Sequence, residues 1–72
     1  MEFNFNPLMG LIVSEYGSRK NFAEALGISD SNLSMKLNNK TKWSPDEICK
    51  CQELLRFSPE EIGKYFFTLK VQ

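Results

Sequence analysis

The sequence predicts an all-α fold, a compact five-helix domain, and three observations carry that prediction. Apolar residues recur at helical spacing in successive segments, cap-and-proline start signals precede several of them, and the connections between them are short. The chain of 72 residues is a single-domain length, 1–72, too short for two independent cores. Apolar residues make up 42% and charged residues 25%, ordinary globular values that exclude a disordered tail or a fibrous segment. A chain this small buries only about 60% of the surface its unfolded form exposes, so association with a second copy or a partner is worth expecting.

Asn6 followed by Pro7 reads as the start of the first helix, with Asn6 as the cap and Pro7 in the first turn, where its missing N–H costs nothing. Leu8, Leu11, Ile12 and Tyr16 share one face before Gly17 stops the helix. Ahead of it, Phe3 and Phe5 alternate with polar residues, the pattern of a short extended arm. Ser18 caps a second helix from Arg19 to Leu26, which buries Phe22, Ala23 and Leu26 and ends at Gly27. After the single apolar anchor Ile28, Ser29 caps a third helix from Asp30 to Leu37, broken by Asn38 and Asn39. Ser44-Pro45-Asp46-Glu47 is a capping box with two acids at the positive end of the helix dipole, and Ile48, Cys51 and Leu55 form the stripe of the fourth helix. Ser58-Pro59-Glu60-Glu61 repeats that signal for a short fifth helix containing Ile62, Tyr65 and Phe66, and a tail over residues 67–72 follows.

The third helix is the unusual element, because polar residues outnumber apolar ones in GISDSNLSMKLNNK. At 100° per residue Leu33 and Leu37 fall together, while Ser31, Met35 and Asn38 gather opposite, flanked by Asn32 and Ser34. That outer face is neutral, short and able both to donate and to accept hydrogen bonds, unlike the Glu/Lys surface of a merely solvated helix. Formal net charge is zero, but the segment from Ser18 to Trp43 holds Arg19, Lys20, Lys36, Lys40 and Lys42 against Glu24 and Asp30. A local excess of positive charge of this kind suits a polyanion, since screening limits each charge to about 8 Å at physiological salt. Ser, Asn and Met can meet base edges in a major groove, and Lys36, Lys40 and Lys42, with Arg19 and Lys20, are placed for phosphates.

The stretch RKNFAEALGISDSNLSMKL, over residues 19–37, resembles the helix-turn-helix of the lambda-repressor and Cro superfamily, with Phe22, Ala23, Leu26, Gly27, Ile28 and Leu33 at the spacings of that pattern. The resemblance extends over roughly residues 7 to 57 and is nearest to small phage-associated Cro-like regulators. It implies a sequence-specific regulator of phage or mobile-element genes. It further implies base reading at Asp30, Ser31, Met35, Ser34 and Asn38, and phosphate contacts near Lys20, Asn32 and Lys40. The chain departs from the family at Lys36, where an apolar residue is usual, so a third helix rotated by one residue is an alternative register. Singly, Ser29 also reads as a plain cap, Asn38 and Asn39 as turn formers, Met35 as a core filler, and the lysines as solvated surface.

Other classes find less support. The chain has no His, no glycine-rich phosphate loop and no acid pair in an apolar setting, so an enzyme is not expected and no cofactor or metal is implied. Cys49 and Cys51, two apart on a helix, point in different directions and suit neither a local disulfide nor a four-ligand zinc site. The apolar stretch from Leu8 to Val13 is far shorter than the roughly 20 residues of a membrane span, and the expectation is a cytoplasmic protein. The rival to a DNA-binding regulator is a helical protein-interaction module such as an antirepressor or antitoxin, which the zero net charge fits. A homodimer is expected through the apolar C-terminus, with Phe67, Leu69 and Val71 at the contact, because Phe67 points about 100° away from the core-facing Phe66. The alternative is that Phe67 and Leu69 fold back over the first and fifth helices of their own chain.

Overall fold

The computed structural model describes residues 2–71. Five helices follow in order: α1 (Asn6–Tyr16), α2 (Arg19–Leu26), α3 (Asp30–Leu37), α4 (Pro45–Leu55) and α5 (Ile62–Phe66), the last entered through a 3₁₀ turn at Pro59–Glu61. The all-α, five-helix architecture is therefore the one the residue pattern predicts. Leu8 and Ile12 of α1, Phe22, Ala23 and Leu26 of α2, Leu33 of α3, Cys51 and Leu55 of α4, and Tyr65 and Phe66 of α5 meet in one core, closed by Phe5 and Phe57. Among the described residues no helix is long and apolar enough to cross a membrane.

Local chemistry sets the boundaries. Ser18, Ser29 and Ser44 each accept a hydrogen bond from the backbone N–H three residues on, which satisfies one of the orphan donors of their helices. Gly27 ends α2 at φ +86°, where a side chain would be strained, and the Lys50 ammonium of α4 donates to the Leu26 carbonyl there at 2.8 Å. The start of α1 departs from expectation. Asn6 is its first helical residue rather than its cap, and the side chain of Asn4 accepts from the Asn6 N–H at 2.9 Å. Arg56, with φ +59°, closes α4 in a left-handed conformation that its sequence does not advertise.

The arm and the tail hold each other. Phe3 lies opposite Leu69 in an antiparallel bridge, the Asn4 N–H donates to the Thr68 carbonyl at 2.6 Å, and the Lys70 N–H donates to the Glu2 carbonyl at 3.1 Å. The tail expected over 67–72 is thus seen through Val71, and Gln72 lies outside the described residues. Phe66 is buried and Phe67 is 54% exposed, as their 100° separation requires.

Between α3 and α4 sits a knot around Trp43. Its ring packs edge-on against Phe66 at 5.1 Å and Phe5 at 6.3 Å, and the Lys36 ammonium lies 5.8 Å from the ring centroid. That ammonium also donates to the Glu47 carboxylate and to the Lys42 carbonyl, each at 3.0 Å. Burial alone would raise the Glu47 pKa. The Ser44 backbone N–H and the Lys36 ammonium together outweigh it and hold the carboxyl below its ordinary value of 4.5. Lys36, expected at a phosphate, is here a packing residue: its side chain is 13% exposed, and its ammonium is paired with Glu47 inside the fold. The rotated register of α3 is not adopted, since Leu33 is fully buried and Met35 faces outward.

Two measurements check this packing. Replacing Lys36 with Gln leaves Glu47 with one donor fewer, and urea unfolding should show a loss of about 1–2 kcal/mol at pH 7. Because the folded Glu47 pKa is depressed, the stability it contributes is present above 4.5 and is lost as the pH falls through the folded value. The variant should therefore lose less on acidification than the native chain. An unchanged urea midpoint would mean that Lys36 is free in solution. The second concerns the cysteines: burial pushes the Cys51 thiol up to about 12, with the Glu47 charge adding to it, whereas Cys49 is exposed. Iodoacetamide at pH 8 should modify Cys49 in the folded chain and reach Cys51 only in denaturant; equal labelling of both would contradict the packing of α4.

Candidate interaction face

α3 attaches to the core through one side only. Leu33 is fully buried and Leu37 half-buried, while Ser31, Asn32, Met35 and Asn38 are exposed and Ser34 is half-buried beside them. The structure thus brings Ser31, Met35 and Asn38 onto one outward face. Asn38 is partly committed, since its side-chain amide donates to the Ser34 carbonyl at 2.8 Å and to the Ser34 hydroxyl at 3.4 Å. Asn32 sits in the first turn of the helix, where its backbone N–H donates to the Ser29 hydroxyl at 3.0 Å and its side chain remains at the surface.

The first residue of α3 is held from α2. Arg19 grips the Asp30 carboxylate with two donors, Nε at 2.7 Å and Nη2 at 3.0 Å, and reaches the Ser34 hydroxyl with Nη1 at 3.4 Å. Hydrogen bonding to Arg19 keeps the Asp30 carboxyl below its usual range and outweighs the opposing effect of desolvation. Two residues expected to meet DNA separately, Arg19 at phosphate and Asp30 at a base, therefore neutralise each other across the α2–α3 turn. With side chains 38% and 40% exposed, the pair links the two helices at the surface and offsets one positive charge there.

The far end of α3 closes just as specifically. Asn39 is left-handed at φ +62°, and the Lys40 N–H donates back to the Met35 carbonyl at 2.8 Å, a Schellman closure. The Asn39 side chain then binds the arm: its Oδ1 accepts from the Phe3 N–H at 2.9 Å and its Nδ2 donates to the Phe3 carbonyl at 3.0 Å. An Asn-Asn pair signals a turn, but nothing in the sequence signals that one of the two also pairs with a strand 36 residues away. Lys20, Lys40 and Lys42 are exposed, and among the described residues none of them has a carboxylate within ion-pair distance. Of the five cations in the segment, three are left to face solvent or a partner.

Beside this face lies an apolar groove of about 350 Å³, lined by the arm residues Phe3 and Phe5, by Trp43 and Ile48, and by Phe66 and Phe67. The expected dimer residues are accessible, with Leu69 at 50% and Val71 at 98% exposure alongside Phe67. The Phe67 ring packs edge-to-face with Phe3 of the arm at 5.8 Å.

The chain is similar over its whole length to a solved structure. The solution structure of the modulator of repression (MOR) of the temperate bacteriophage TP901-1 from Lactococcus lactis is 42% identical, with a TM-score of 0.82 over 100% of this chain and 97% of that one. No curated protein matches the chain. A likeness of that extent makes this chain a relative of a phage regulatory protein. Residues 1–69 match the model of the family described as a protein of unknown function, DUF739, and the chain belongs to that family.

Proposed function

We propose that the chain modulates repression in a temperate phage by docking the outer face of α3 on another regulatory protein, in the manner of an antirepressor. The observation that carries this reading is internal neutralisation. Arg19 is spent on Asp30 and Lys36 on Glu47, so of the five cations between Ser18 and Trp43 three, Lys20, Lys40 and Lys42, remain beside this face to offset phosphates. Proteins that hold duplex tightly use on the order of six to ten phosphate contacts. The sequence pI of about 6.2 lies well below the range above about 9 typical of DNA-binding domains. A neutral face of Ser31, Asn32, Met35 and Asn38 suits a protein interface instead, because charged side chains are costly to desolvate at an interface centre and a thioether adapts to varied contours. The similar phage protein is described as a modulator of repression, which favours action beside a repressor.

A second reading rests on a separate observation, the fit of this same face to base edges. In it the chain is a helix-turn-helix regulator of the lambda-repressor and Cro superfamily. Ser31, Ser34, Met35, Asn38 and Asp30 lie in the major groove, and Lys20, Asn32, Lys40 and Lys42 meet the backbone. Short hydrogen-bonding side chains exposed along a helix flanked by three lysines favour it. Either role is exercised in the cytoplasm.

Calorimetric titration separates the two. The cognate phage repressor should bind with an affinity that changes little as salt rises. Met35→Ala should weaken it by about tenfold without loss of helicity, the scale of one interface anchor. Duplex should bind weakly, with a salt slope no steeper than about −3 per copy, set by the three free lysines. Tight duplex binding with a much steeper slope, together with no measurable affinity for the repressor, would overturn the first reading in favour of the second.

A further inference from the structure

We propose that the outer edge of the tail, Thr68 to Val71, is a strand-pairing edge that takes a second copy of this chain. The arm–tail bridge has the wide geometry in which the flanking residues supply the hydrogen bonds, from the Asn4 N–H to Thr68 and from the Lys70 N–H to Glu2. The N–H and C=O of Phe3 and Leu69 themselves therefore point away from the ladder, one pair on each side. On the arm side that outward pair is filled, because the Asn39 amide satisfies both groups of Phe3. On the tail side the N–H and C=O of Leu69 have no hydrogen-bond partner among the described residues. Capped on one edge and open on the other, the ribbon presents the kind of template that pairs with another strand.

The side chains make this edge complementary to itself. Antiparallel pairing about a two-fold axis through Leu69 sets Leu69 opposite its own copy, and each donates to and accepts from the other. Lys70 then falls opposite Thr68, and Val71 is brought toward the exposed Phe67, which caps α5 just before the strand, so apolar meets apolar and no like charges are brought face to face. The Lys70 ammonium is already held by the Glu2 carboxylate of its own chain at 3.2 Å. Phe67, Leu69 and Val71 are among the large apolar residues this chain exposes, and Phe3, opposite Leu69 and under the Phe67 ring, continues the same surface. Three residues per copy cover much less than the roughly 800 Å² per partner of a standard interface, so the dimer is a weak and reversible one. The edge lies apart from the outer face of α3 and stands or falls independently of what that face binds.

Sedimentation of the full chain across a concentration series tests the proposal, with amide exchange at Leu69 as a second readout. The native chain should pass from monomer to dimer below about 1 mM, the weak end of specific association, and exchange at Leu69 should slow as concentration rises. Leu69→Pro removes the outward N–H and spares both hydrogen bonds of the arm, while Val71→Lys alters a side chain that is 98% exposed. Each should weaken association by about tenfold or more at unchanged helicity. A native chain that stays monomeric at about 1 mM, or a dimer of undiminished strength in both variants, would overturn it. Protection of Leu69 that develops only on addition of a different protein would also overturn it, and would give the edge to a foreign strand.

Discussion

Leu33 is the one residue of α3 that is wholly withdrawn from water, and the arrangement of the interaction face depends on it. An eight-residue helix is shorter than the roughly 12–15 residues at which isolated helices become marginal, so α3 owes its shape to tertiary contacts. Burying a single leucine is worth a few kcal/mol, enough to dock the helix but not to fix its rotation. Rotation is fixed at the two ends. Arg19 holds Asp30 from α2, and Lys36 reaches across to Glu47 and Trp43 in the α4 region. With the inner side so constrained, Ser31 and Met35 are left to presentation, while Asn38 also caps the helix end through its bonds to Ser34.

The same two clamps determine what the face can bind. A cation used to orient a helix cannot also neutralise a phosphate without giving up its internal partner, and here two of five cations are used in that way. The stability of the scaffold and the weakness of its electrostatic field thus have one cause. What remains is a surface rich in hydrogen-bonding groups, with one adaptable thioether and three peripheral lysines, joined through Asn39 to the arm and so to the tail. The end of α3 and the arm–tail bridge are tied together by that single amide side chain.

Much of this fold was legible in the sequence because its signals are local. Serine caps, Ser-Pro-acid starts and a glycine after Leu26 each act within a turn, and the bounds of α2 and α3 fall where those residues set them. The features that escaped are long-range or depend on side-chain reach. Arg19 and Asp30 are 11 residues apart, as are Lys36 and Glu47, and no periodicity distinguishes a lysine that snorkels onto a tryptophan from one that is solvated. Asn39 gave only a turn signal, although its amide ties residues 36 apart. Asn6 carries the residue type of a cap yet opens the helix, because Asn4, two residues earlier, supplies the same chemistry. The departure at Lys36 from the lambda-repressor pattern was itself the visible trace of the clamp to Glu47.

Whether the outer face of α3 is a surface for protein rather than for duplex is read residue by residue by backbone amide shift mapping. Titrating isotopically labelled chain with the unlabelled cognate repressor should perturb amides from Asp30 to Lys42 and leave the solvent side of α4 unchanged, while equimolar duplex at physiological salt should shift only the surroundings of Lys20, Lys40 and Lys42. Large shifts at Ser31 and Met35 with duplex, and none with repressor, would contradict it.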